Sequence, residues 1–187
     1  ERLDKGTVLC AEGYLFEMEK RGYLQAGAFV PEVVLEHPEV VTQLHREFIR
    51  AGSDVVQAFT YYGHREKLRL IGKEDLLEPL QKNALQIAKD VSSEFPNLEL
   101  MIAGDVANTN IYDPNDRNSL IEVEKMYEEQ IVWAKEAGVD FIIAETIQWT
   151  GEALIALKKI KEAGLTAVIN LAIPANDLTR DDDRPED

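Results

Sequence analysis

Apolar residues recur along this chain in two alternating patterns. Runs without polar alternation, such as Phe141-Ile142-Ile143-Ala144, predict strands covered on both faces, as in a parallel sheet with helices outside it. Five such strands are expected. They fall at Thr7 to Ala11, at Ser53 to Tyr62, at Leu98 to Gly104, in the stretch around Phe141 to Ala144, and at Leu165 to Ile173, where Pro174 ends the last. Between them, apolar positions three and four apart predict helices with one buried stripe.

The stripes are Val41, Leu44, Phe48 and Ile49; Leu76, Leu80, Ala84, Ile87 and Val91; Val123, Met126, Tyr127, Ile131 and Ala134; and Leu154, Leu157 and Ile160. Ser119 is the expected cap of the third. A turn-rich connection with a short helix around Phe16 to Lys20 follows the first strand, a charged loop follows the second, and Asp105 to Asn118 reads as a polar connection able to serve as a binding loop.

One junction recurs: Arg50-Ala51-Gly52-Ser53-Asp54, Glu136-Ala137-Gly138-Val139-Asp140 and Glu162-Ala163-Gly164-Leu165-Thr166 each end a helix and begin a strand. Glycine after a helix can take the left-handed conformation that turns the chain back into a sheet. The order is β-α four times plus a fifth strand, which means a parallel sheet with right-handed crossovers. Such an α/β chain forms either an open doubly wound sheet or an arc of a (βα)8 barrel of the TIM type. No glycine-rich phosphate loop follows any strand, which favours the barrel arc. A closed barrel takes about 250 residues, so 187 residues supply about the first four βα units plus strand five.

Composition narrows the chemistry. At 45% hydrophobic and 29% charged, the chain reads as one globular domain over residues 1–187, with 177–187 an acidic loop or tail. A formal net charge of −15 argues against nucleic acid or an anionic membrane as partner. No apolar run reaches the length of a membrane span, no signal peptide is visible, and the single cysteine agrees with a reducing, cytoplasmic setting. The chain opens without methionine and stops in an acidic run, so a piece of something longer is expected.

Parallel strands bring their C-terminal ends to one rim: Ala11-Glu12-Gly13, Thr60-Tyr61-Tyr62, Gly104-Asp105, Glu145-Thr146 and Asn170. Glu145 stands where the fourth strand should end, and is either a ligand-binding acid or an exposed loop acid. As a binding acid it could hold an amino group by a charge-assisted hydrogen bond. Tyr61 and Tyr62 are either strand packing or an aromatic wall whose ring faces attract an onium cation. Asp105 and Glu12 are weaker candidates of the same kind. His37, His45 and His64 have no metal-ligand spacing and read as surface or helix-packing residues. Cys10 reads as a small buried residue on the first strand.

The segments Glu17 to Tyr23, Glu36-His37-Pro38-Glu39 through Ala51-Gly52-Ser53, and Gln57-Ala58-Phe59-Thr60-Tyr61-Tyr62 resemble the N-terminal half of the betaine–homocysteine S-methyltransferase family. That resemblance implies a zinc-dependent (βα)8 barrel that moves a methyl group from betaine to homocysteine, giving dimethylglycine and methionine. It implies that Glu145 holds the amino group of homocysteine, that Tyr61 and Tyr62 lie at the betaine site, and that Phe29 stands where the family has a tryptophan. There, zinc lowers the pKa of the homocysteine thiol.

Three departures matter. Ala11-Glu12-Gly13 replaces an Asp-Gly-Gly, Thr146 replaces an aromatic residue beside the acid, and the family's zinc cysteines fall beyond Asp187. Three functions are thus weighed, the first two being methyl transfer from betaine or a similar onium donor to homocysteine, and a non-catalytic paralogue serving as a binding or structural component. A sulfonium donor such as S-methylmethionine or dimethylsulfoniopropionate is the third. The partners expected are homocysteine, the donor, and either a second copy or the complementary C-terminal half, which would cover the apolar barrel face and the unpaired edge.

Overall fold

Four β-strands form one sheet in the computed structural model, which describes residues 2–11, 13–24, 30–173, 175 and 178–184. They are β1 (Val55–Gln57), β2 (Met101–Ala107), β3 (Phe141–Ile147) and β4 (Thr166–Leu171). Every pairing is parallel and the order is β1-β2-β3-β4. A doubly wound sheet reverses direction at a switch point; an order that follows the chain without reversal is the winding of a barrel arc. The α/β class and the barrel arc expected from the sequence are both present.

The helices are α1 (Tyr14–Lys20), α2 (Val33–Glu36), α3 (Pro38–Arg50), α4 (Arg65–Leu70), α5 (Leu77–Ser93), α6 (Arg117–Ala137) and α7 (Thr150–Glu162). Their apolar stripes pack on one sheet face, where Val56, Val106, Ile142, Ala144 and Ile147 meet Leu44, Leu85, Val91, Tyr127, Ile131 and Ile160. On the opposite face Val55, Ala103 and Ile143 cluster with Val8, Cys10, Met101 and Phe141. That face carries an open cavity of about 280 Å³, and Val168 on β4 is 38% exposed. Gly52, Gly138 and Gly164 all take positive φ, at 106°, 80° and 79°, so the recurring helix-to-strand junction works as the sequence suggests.

Several elements differ from expectation. The first strand shrinks to one parallel bridge, Cys10 to Val55. Side chains take over the pairing there: Leu9 N donates to the Asp54 carboxylate and Ala11 N to the Ser53 hydroxyl. Cys10 is consequently only half-buried. β2 runs on past Gly104 through Ala107, because Asp105, Val106 and Ala107 pair with Ile143, Ala144 and Glu145, so Asp105 is a strand residue. The charged loop after Tyr62 contains α4, capped by His64. Helix α6 is capped by Asp116, whose carboxylate accepts from Asn118 N, while the Ser119 hydroxyl accepts from Asp113 N instead.

On α7 the buried side is Glu152, Ala153, Ala156 and Ile160; Leu154 is 59% exposed. The small residues let the helix lie close to α6 and the sheet, and that rotation turns Leu154 outward. Leu154→Gln is therefore expected to change stability by less than about 0.5 kcal/mol, whereas Ile160→Ala costs about 2–5 kcal/mol, both read by urea unfolding.

Candidate functional site

Alternation along the strands sends Val55 and Gln57, then Ala103 and Asp105, then Ile143 and Glu145, to the helix-free face. The last residue of each pair is polar, so the C-terminal end of the sheet ends in Gln57, Asp105 and Glu145. These three line a cavity of about 270 Å³ together with Phe59, Tyr61 and Thr146, and with Gly13 to Phe16 at the start of α1. Asp105 is 3% exposed.

A bulge aims the key acid. Ala144 pairs with Ile169 and Ile147 with Leu171, so three steps on β3 oppose two on β4 and the ladder breaks at Glu145-Thr146. Thr146 takes φ 57°, a left-handed conformation that a β-branched residue adopts only when its surroundings enforce it. Its hydroxyl donates to the Glu145 carbonyl at 2.7 Å and reaches Asn108 Oδ1 at 3.1 Å. The Glu145 carboxylate is oriented from the other side. Gln57 Nε2 donates to its Oε1 at 2.9 Å, while the Cys10 thiol lies 3.5 Å from Gln57 Oε1 and fixes which way the amide points.

Burial and nearby groups, including Glu145, push the Tyr61 phenol well above its ordinary pKa, so it presents a neutral ring to the cavity. Behind it, Tyr14 OH and His45 Nδ1 are 3.0 Å apart in the core, and the Tyr14 ring stacks on Phe59. Burial lowers the His45 pKa to about 3, and burial with Lys67 nearby lowers that of His64 to about 4. Both values lie below the unfolded value near 6.5, so the unfolded chain takes up protons that the folded chain refuses. Stability is full above about pH 6.5 and falls as the pH drops toward 4. His45→Gln is expected to make that fall shallower by about one proton, measured as the slope of unfolding free energy against pH.

Tyr61 and Tyr62 diverge. Their ring centroids are 4.2 Å apart, but Tyr62 has φ 57° and lines a neighbouring cavity of about 310 Å³. Lys67 Nζ lies 4.1 Å from the Tyr62 ring centroid, so one face of that ring already meets a cation. The second cavity is also lined by Asn108, Tyr112, Gln148, Trp149, Glu152 and Arg180. Glu152 is 2% exposed, and its Oε1 accepts from Thr109 N, Thr109 Oγ1 and Tyr127 OH at 2.7, 2.6 and 3.2 Å.

Of the residues singled out in the sequence, Glu145, Tyr61 and Asp105 share one cavity and Tyr62 lies beside it. Glu12 and Phe29 fall outside the described residues. Asn170 lines the cavity on the open sheet face instead, below the rim. Gln57 and Glu152 escaped sequence reading. Gln57 was visible as the polar position inside an otherwise apolar run, whereas nothing in the sequence marked Glu152 as buried. Among the described residues no group of three His, Cys, Asp or Glu is placed to hold a metal ion, and the Cys10 thiol lies beside Gln57 Oε1. The described residues therefore do not fit a zinc site.

A singly wound parallel arc with an acid-lined cavity at the strands' C-terminal ends defines an α/β protein of barrel type with a candidate ligand site. The chain belongs to the homocysteine S-methyltransferase family, whose model matches residues 9–187. It is 38% identical over 184 residues to betaine–homocysteine S-methyltransferase 1 of Xenopus tropicalis, covering 95% of this chain and 44% of that protein. It is 33% identical over 180 residues to S-methylmethionine–homocysteine S-methyltransferase BHMT2 of Pongo abelii, covering 95% and 47%. The chain thus spans less than half the length of these relatives. The homocysteine methyltransferase MmuM of Escherichia coli, solved in a metallated form, shares the fold at a TM-score of 0.81 and 18% identity, over 98% of this chain and 69% of that one.

Proposed function

We propose that the protein carrying this chain transfers a methyl group from a betaine-type onium donor to homocysteine, giving methionine. The observation that carries the reading is one cavity shared by the Glu145 carboxylate and the Tyr61 ring, in a chain of the homocysteine S-methyltransferase family. In this reading Glu145 accepts a charge-assisted hydrogen bond from the substrate ammonium, and Gln57 holds the carboxylate in place for it. Asp105 adds a buried acid beside the half-buried Glu145 in the same cavity, and a carboxylate there strengthens the pull on a cationic group. The tyrosine pair borders the donor, and Phe29 and Glu12 are proposed as further substrate-binding residues.

The step is a displacement. Homocysteine gives up its thiol proton to solvent, the resulting thiolate sulfur attacks a methyl carbon of the onium group, the S–C bond forms as the C–N bond breaks, and the electron pair stays on nitrogen, leaving the donor as a tertiary amine with a dimethylamino group. The ring faces of a neutral Tyr61 favour the cationic donor over the neutral product, which helps product to leave. Zinc, implied by the family, is assigned to residues outside those described. No helix among the described residues is long and apolar enough to cross a membrane. We place the protein in the cytoplasm, as a homo-oligomer or joined to a complementary half.

The test is methionine formation from betaine and homocysteine by the protein that carries this chain. Methionine appearing only with an onium donor supports the reading; homocysteine binding without turnover under any onium donor favours the second reading, a binding component. The altered Ala11-Glu12 pair and Thr146 are the features behind that alternative.

A further inference from the structure

The second cavity, beside the one that holds Glu145, has a lining unlike the first. Amide and aromatic groups from Tyr62, Asn108, Tyr112, Gln148 and Trp149 surround it, with one acid, Glu152, and one base, Arg180. The two cavities share a wall, because Tyr61 lies against Tyr62 and Thr146 is hydrogen-bonded to Asn108. Glu152 spreads its charge over three donors, and Arg180 is paired with no carboxylate among the described residues. Arg180 lines this cavity without a carboxylate partner among the described residues, although Asp181, Asp182 and Asp183 follow it directly in the chain.

The fold keeps it that way. Asp181 is drawn off to accept from Gly151 N at 2.9 Å, at the start of α7. Arg180 N donates to the Gln148 carbonyl at 2.8 Å, and the Thr179 and Thr150 hydroxyls meet at 3.0 Å. Three ties thus fasten the segment on either side of Arg180 to residues 148–151, next to the cavity lining. Its guanidinium carbon lies 5.9 Å from the centroid of the Trp149 ring. That ring is set against Tyr112 at 5.7 Å, and Tyr112 packs on Gly151 so closely that a Cβ there would meet its oxygen at 1.8 Å.

Among the described residues, the acid of this cavity is already taken up by three donors, which leaves the Arg180 guanidinium and the fixed aromatic rings to meet a ligand and suits a small zwitterion. Resting on the reading above, in which the donor borders the tyrosine pair, the geometry points to Arg180 as the residue that binds the donor's carboxylate. The donor is then a carboxylate-bearing onium compound with a short spacer: its cationic end faces the tyrosine wall and its carboxylate faces the guanidinium. Arg180 sets donor specificity by recognising the end of the molecule that does not react.

Calorimetric titration of glycine betaine and of tetramethylammonium, which lacks the carboxylate, tests this in the protein that carries the chain, with homocysteine present. Arg180→Gln is expected to lose about tenfold in betaine affinity, the value of one charge-assisted hydrogen bond, and to leave tetramethylammonium affinity unchanged. Arg180→Lys is expected to recover part of the loss, since a lysine keeps the charge without the planar fork. Circular dichroism checks that both variants fold. Betaine affinity unchanged in Arg180→Gln, or betaine and tetramethylammonium weakened alike, overturns the assignment and leaves the donor-site reading standing. A wild-type protein that binds neither compound overturns both.

Discussion

Replacing Glu145 with glutamine is expected to weaken homocysteine binding by roughly 10- to 100-fold while leaving the folded structure intact. The side chain keeps its shape and can still accept from Gln57 Nε2, so the lost quantity is the negative charge that meets the ligand ammonium. Homocysteine lacking its amino group measures the same interaction from the other side: it should bind wild type and Glu145→Gln with equal affinity. Titration of both ligands against both proteins closes the cycle. Equal weakening for both ligands would mean that Glu145 shapes the cavity and does not contact the ammonium.

Glu152→Ala is expected to destabilise the fold by about 3–5 kcal/mol. One carboxylate oxygen there accepts from Thr109 N, Thr109 Oγ1 and Tyr127 OH, and removing it strands three donors in a buried position. Tyr127 is itself fully buried, and its phenol is held far above its ordinary pKa by burial and by Glu152, so it cannot recover a partner by ionising. The bond to Thr109 also ties the loop after β2 to the first turn of α7, where an acid is favoured by the helix dipole. Glu152→Gln retains an acceptor and should cost about 1–2 kcal/mol. Urea unfolding of the three proteins gives the comparison; equal stability of all three would contradict the assigned role.

Much of this fold could be read from local pattern. Phe141 to Ala144 is apolar on both faces because helices cover one side and the barrel interior the other, and the three glycine junctions act through a backbone preference that needs no tertiary partner. The misses occur where a distant group decides. Leu9 and Ala11 lose their ladder to side chains more than forty residues away, and Asp105 belongs to a strand because of where β3 lies. Leu154 satisfies the helical period, yet Ala153 and Ala156 set which side of α7 packs.

The candidate site was partly legible for the same reason. Glu145 and Tyr61 could be placed at a common rim from strand direction alone. The separation of Tyr61 from Tyr62 into two cavities depends on a left-handed backbone at Tyr62, which periodicity does not report. Gln57 matters through a hydrogen bond spanning 88 positions, and Arg180 through the hydrogen bonds that fasten its loop to α7; neither relation leaves a trace in local sequence.

A crystal structure with homocysteine bound tests the central claim most directly. The account predicts the amino acid in the cavity between Tyr61 and Asp105, with its ammonium nitrogen within about 3.2 Å of a Glu145 carboxylate oxygen. Homocysteine seated elsewhere, or in that cavity with its ammonium turned away from Glu145, would contradict it.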